Sequence, residues 1–273
     1  MHFNFDFTAV QVLWTLTFAA HLVLLVVLMG RERIRRFPWF TTGIVLVTLR
    51  LLSSRLLYGR LPELTMGGIF IALADVTAIV ALLVVLEMAR RAFGRLSRPV
   101  WIIWILVLVS LGAVVLGTWG IWPAWKSIAF DTLLARLSVL QLVAQKLGLL
   151  ADVLTIELGL LVVLFGRRYG AGWRSHVQQI LIGLSTASLA QLAAQAIWQI
   201  ITKTAAPHSM AEYERIMGLR EKLFNANSVV YLLVLIWWIA CLWIDEPGTV
   251  PATVAAPAEE APSAAELPHD AEK

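Results

Sequence analysis

Residues 8–29 read TAVQVLWTLTFAAHLVLLVVLM, and residues 30–38 after them read GRERIRRFP. The first stretch contains no Asp, Glu, Lys or Arg. As a helix rising about 1.5 Å per residue it is long enough to cross the ~30 Å hydrocarbon core of a bilayer. The second stretch ends it: Arg31, Arg33, Arg35 and Arg36 are costly in hydrocarbon, and Pro38 resets the chain for a new helix. The same alternation recurs. Apolar runs cover 39–59, 67–88, 100–122, 139–166, 177–201 and 226–244. Between them lie the turn Arg60-Leu61-Pro62-Glu63, the cluster Arg90, Arg91, Arg95 and Arg98 before Pro99, and the cluster Arg167, Arg168 and Arg174. With no water in the hydrocarbon, every backbone N–H and C=O must find a partner within the protein, which a helix supplies within one segment. Alternating ten-residue strands, the mark of a membrane barrel, are absent. The pattern predicts an all-α, polytopic integral membrane helix bundle of about seven transmembrane helices, with the lipid bilayer as its first partner.

Composition agrees. The chain is 59% apolar and only 15% charged, with mean hydropathy +0.79, whereas soluble domains run nearer half apolar and a quarter charged. The net charge of +4 is not a nucleic-acid signal, because most of the arginines flank spans. A single cysteine, Cys241, excludes an intramolecular disulfide and a cysteine-based metal site. The opening MHFNFDF has neither a basic n-region nor a small-residue cleavage motif, so the first span is expected to serve as an anchor.

Topology follows from charge. The first, third and fifth loops carry eleven arginines and almost no acid. The positive-inside rule puts them in the cytoplasm, with the N-terminus outside and the C-terminus inside, in a bacterial inner (plasma) membrane. The sixth loop is mixed: Lys203, Arg215, Arg220 and Lys222 lie among Glu212, Glu214 and Glu221. Its Ser209-Met-Ala-Glu212 fits a capping box and predicts a short amphipathic helix to about Leu223 on the outer surface. Trp119, Trp122 and Trp125 crowd the outer end of the fourth span, as interfacial tryptophans do. Residues 1–246 form one transmembrane domain, and 247–273, rich in Pro, Ala and Glu, read as a disordered cytoplasmic tail. Ser127 to Phe165 is too long for one simple span, since as a helix it would reach ~60 Å. Within it Leu133, Leu137, Leu140, Ala144, Leu147, Ala151, Leu154 and Leu158 keep a 4-3 spacing, a heptad seam suited to a helix of the same chain or to a homodimer. No internal repeat of the kind that builds many transporters is visible.

Ionisable groups inside spans cost roughly 2.5–3.5 kcal/mol on insertion scales and are usually paired or functional. They are His21, Arg50, Arg55, Asp75, Lys146, Asp152 and Glu157, while Glu87 sits at an inner end beside the arginines that follow it. Arg50 and Asp75 flank the hairpin turn at Pro62–Glu63 about equally, which puts them at one depth in an antiparallel pair. Such a pair is either a strut that sets helix register or a ligand or proton site. Arg55 is the expected counter-ion of Asp152. Gln191, Gln195 and Gln199 form an i, i+4, i+8 stripe, and Gln141 and Gln145 an i, i+4 pair. These amides serve either as interhelical hydrogen bonds or as the lining of a polar cavity opening outward. Arg50, Arg55, Asp75, Asp152, Glu157, Gln191 and Gln195 together make the candidate intramembrane polar cluster.

Several chemistries can be set aside. A retinal protein needs a lysine in its last span, and VVYLLVLIWWIACLWI (229–244) has none. Bis-histidine haem needs two histidines at one depth, but His21 is near mid-membrane and His176 at the cytoplasmic edge. HExxH, P-loop and GxSxG motifs are absent, and nothing joins a nucleophile to a base. The expectation is no catalytic, cofactor or metal residue, and no enzyme.

Three stretches, RERIRRFPWF (31–40), VVLEMARRAF (84–93) and ELGLLVVLFGRRYGAGWRSHVQQILIGL (157–184), resemble cytoplasmic helix ends in a broad group of uncharacterised bacterial seven-helix membrane proteins. That group is similar to the seven-helix input regions of some sensor histidine kinases. The resemblance implies a signal-input or ligand-sensing protein that acts through a cytoplasmic or membrane signalling partner. No kinase or cyclase domain follows the seventh span, so any output is expected to belong to another chain. The alternative is a small-solute or ion transporter built on the charged cluster.

Overall fold

The computed structural model describes residues 8–57, 60–93, 98–118, 132–165, 175–205 and 209–245, with backbone only over 98–104. Among these residues there are eight helices and no strand: α1 (Ala9–Gly30), α2 (Arg33–Arg36), α3 (Pro38–Leu56), α4 (Glu63–Phe93), α5 (Arg98–Thr118), α6 (Leu133–Phe165), α7 (His176–Thr204) and α8 (Met210–Trp243). Five of them, α1, α4, α6, α7 and α8, are long and apolar enough to cross a membrane. The tryptophans at 119, 122 and 125, the arginines at 167, 168 and 174, and the 247–273 tail lie outside the described residues.

Local chemistry accounts for the helix ends. Thr8, Ser175 and Ser209 each accept a hydrogen bond from the backbone N–H three residues on, and Pro38 opens α3 where its missing N–H costs nothing. Phe37, which precedes α3, has no side chain able to cap it, and α4 supplies the cap. The buried Glu87 carboxylate accepts the Phe40 N–H at 3.0 Å and meets Arg91 at 3.5 Å. Glu87 thus meets an arginine as expected and also ties α4 to the start of α3. Glu87→Ala removes that cap and leaves the Phe40 donor buried. A loss of about 1–2 kcal/mol is expected, with Glu87→Gln retaining part of it. Melting of the three proteins in one detergent reads the difference, and an unchanged Glu87→Ala protein would remove this role.

The long helices close a ring. α1 packs on α3, α3 on α4, α4 on α6, α6 on α7, α7 on α8, and α8 back on α1, while α5 leans on α6 from outside. The ring is tightest at the end that carries the α2 arginines, Arg90 and Arg91. There Leu28, Phe37, Phe40, Met88, Leu158, Leu181, Trp238 and Leu242 are all buried. Asp245, just past α8, bridges Arg33 at 2.8 Å and Arg31 at 3.4 Å, and Arg31 also lies over the Trp243 ring. The outer surface is strongly apolar: Val26, Leu164 and Leu233 are 65%, 62% and 60% exposed. Water would reject such a surface, and lipid accepts it.

Two glycines set how close the helices come. A Cβ on Gly159 of α6 would collide with the Ser185 hydroxyl of α7, and one on Gly183 of α7 with the Trp238 indole of α8. Small residues at such crossings let backbones approach where no hydrophobic force drives association.

Three expectations change. The sixth-loop amphipathic helix and the seventh span are one rod, α8. Its Ser209 cap forms, but nothing between Leu219 and Trp243 breaks a helix, so it does not stop near Leu223. α4 runs on through Arg90 and Arg91, so these arginines ride its last turn instead of a loop. Only part of the heptad seam is packed within the chain: Ala151, Leu154 and Leu158 are buried, whereas Leu133 and Leu140 are 59% and 45% exposed.

Candidate functional site: a cavity within the helix ring

At the end opposite the arginines the ring encloses a cavity of about 1060 Å³. All six ring helices line it. Away from the floor its wall ends at Trp14 near the start of α1, Arg50 and Leu51 toward the end of α3, Gly67 near the start of α4, Gln141 and Gln145 in the first half of α6, and Gln191, Asn225 and Asn227 about midway along α7 and α8. Its floor holds Phe40 and Trp238, packed edge to face with ring centres 5.1 Å apart. The packed floor and the space above it follow from composition. Bulky apolar residues fill the arginine end, while the α4 wall carries a helical stripe of Gly67, Ile71, Ala74, Ala78 and Ala81, small at every position but Ile71.

The expected cluster divides. Arg50, Asp152, Gln191, Gln141 and Gln145 line the cavity. Asp152 accepts the Ser188 hydroxyl at 2.7 Å, and Gln191 accepts from the Asn227 amide at 2.6 Å. Asp75, Glu157, Arg55 and Gln195 are not in the lining. Among the described residues no ion pair joins Arg50 to Asp75 or Arg55 to Asp152. Oδ1 of Asp75 and Oε2 of Glu157 are buried without a hydrogen-bond partner, and Arg55 is exposed. Counted from the Phe40–Glu87 bond, Arg50 lies ten residues and Asp75 twelve residues toward the rim, a difference of ~3 Å in helix rise. Azimuth separates them, because Arg50 faces the lumen and Asp75 sits beside the lumenal stripe of α4. Asp152 bonds Ser188 on the neighbouring α7, whereas Arg55 is exposed at the last turn of α3.

Composition and spacing did not point to several members of the wall. Tyr231 of α8 lines the cavity and bonds His21 of α1, with hydroxyl to Nε2 at 2.9 Å, while Nδ1 of His21 lies 2.7 Å from the Thr17 carbonyl. A carbonyl only accepts, so Nδ1 carries the proton, and in the neutral ring Nε2 accepts from Tyr231. Asn225, Asn227 and Ser228 begin the apolar part of α8; their polar run was the available signal. Among the described residues no three His, Cys, Asp or Glu side chains gather as metal ligands would.

Comparison with protein-family models, with curated proteins and with solved structures finds no match to this chain. Fold and site alone define its class: a multi-pass helical membrane protein whose described helices pack tightly at an arginine-rich end and surround a mainly apolar cavity, with a few polar side chains in its wall, toward the other.

Proposed function

We propose that this chain is a seven-span ligand-sensing input protein of the bacterial inner membrane, with the cavity mouth outside and the arginine-rich end in the cytoplasm. The observation that carries the reading is the cavity itself, floored by Phe40 and Trp238 and lined away from the floor by Arg50, Gln141, Gln145 and Asn225. In this reading α3 and α5 also cross the bilayer, and the positive-inside rule sets the orientation. A vestibule facing outward admits a small solute, and the packed floor keeps it from passing.

α8 offers the route of the signal. One unbroken helix carries Asn227 and Tyr231 in the cavity wall, Trp238 in the floor and Asp245 just beyond its end, clamped to Arg31 and Arg33. A solute that moves the upper wall therefore acts on the cytoplasmic end through a rigid element, where a signalling partner reads it.

In a Cys241→Ser background, Gln145→Cys is expected to react with a membrane-impermeant thiol reagent added outside intact cells, and Arg35→Cys to react only after lysis. Labelling of Arg35→Cys alone would invert the orientation. In sealed proteoliposomes, a solute that raises the melting temperature is expected not to cross. Saturable flux of that solute would make the cavity a transport site and overturn the sensing role.

A further inference from the structure

We infer that the cavity binds a zwitterionic solute of the amino-acid class, its ammonium on Asp152 near the floor and its carboxylate on Arg50 nearer the mouth. The inference rests on the reading of the cavity as a ligand site. Of the described residues that line it, Arg50 is the one cation and Asp152 the one carboxylate; the other polar groups are neutral amides, hydroxyls and the indole N–H groups of Trp14 and Trp238. Among the described residues neither charge is met by an opposite one, and Asp152 has only the Ser188 hydroxyl. A bound solute that supplies both counter-charges matches this wall. A solute with one charge leaves the other wall charge unmatched, and an uncharged one leaves both.

The two charges differ in height in a way that orients the ligand. The floor is marked by Phe40 and Trp238, with Gly183 of α7 against the indole. Ser188, the partner of Asp152, is about five residues above Gly183, or ~7 Å of helix rise, and Arg50 is about ten residues above Phe40, or ~15 Å. Side chains tilt toward the N-terminus of their own helix. α3 starts at the floor, so Arg50 leans down into the cavity; α6 starts at the rim, so Asp152 leans up. The charged tips thus converge from two walls that α4 separates in the ring. Such an arrangement selects a span between charges as well as their signs.

The test uses the full chain in detergent, with calorimetric titration and thermal shift. The probes are the L-α-amino acids and the ω-amino acids from glycine to 6-aminohexanoate, each beside the alkylamine and the alkylcarboxylate of its length. At least one zwitterion is expected to bind saturably, at least tenfold tighter than either singly charged analogue. Arg50→Gln should weaken the zwitterion at least tenfold and leave the amine within about twofold. Asp152→Asn should do the converse with the carboxylate. Arg50→Lys and Asp152→Glu keep the charges and guard against misfolding, and they should retain most of the affinity. If an amine, a carboxylate or an uncharged solute binds as tightly as any zwitterion, the cavity is still a ligand site and this inference falls. If no zwitterion binds, the inference falls as well. If Gln145→Cys is also unreactive from outside, the sensing cavity falls with it.

Discussion

Gly183→Leu is expected to yield little folded protein, and what folds should melt far below the parent. A Cβ at this position would already collide with Nε1 of Trp238, come within 2.7 Å of its Cε2 and 3.0 Å of a Val234 methyl. The obstacle is not a flexible tip: the indole is 1% exposed and packed edge-on against Phe40. Overpacking of a filled interior costs about 1–3 kcal/mol and more when no neighbour can give. For Gly183→Ala a gain of ~1 kcal/mol in helix propensity works against the clash, so a smaller loss is expected. Leucine adds three more carbons and has no larger propensity to offset them. Trp238→Phe in the Gly183→Ala background should recover part of the loss, because the smaller ring withdraws from α7. Melting of the four proteins in one detergent decides. A Gly183→Leu protein as stable as the parent would mean that α7 and α8 do not approach as closely as they do here.

The second large effect concerns His21 and Tyr231. His21 is wholly buried, with both ring nitrogens bonded, and its Nε2 depends on the Tyr231 hydroxyl alone. Tyr231→Phe therefore strands an acceptor in the bundle, at an expected cost of about 1–3 kcal/mol. His21→Leu strands the tyrosine hydroxyl and loses the fit of the ring, with a loss of similar size. The double variant has no polar group left to strand at this contact, so its loss should be clearly smaller than the two single losses combined. Additive losses would show that the bond does not link α1 to α8. Because Tyr231 also lines the cavity, Tyr231→Phe is expected to alter ligand affinity in a protein that still folds.

The architecture was legible in the chain because its determinants are local. Whether a segment can cross hydrocarbon depends on the residues within it, and Arg31 to Arg36 or Arg90 and Arg91 mark the end of an apolar run wherever the run later packs. The caps at Ser209 and Pro38 are local too. Depth is nearly so, since helix rise per residue is constant, and a residue count along α3 and α4 is enough to compare Arg50 with Asp75. Which way a side chain points around its helix, and what it meets there, depends on neighbours distant in sequence. Asp152 found Ser188 and not Arg55; Glu87 found the start of α3; His21 found Tyr231, 210 residues away. Gly183 reads as one small residue among many until the Trp238 indole is laid against it. The amino-acid sequence by itself determined a helical membrane protein with a basic end and a short set of costly polar residues. Only the ring closed by six helices decided which of those residues share a lumen, because a shared lumen is a property of how helices are rotated against one another, and that is set by packing across the whole chain.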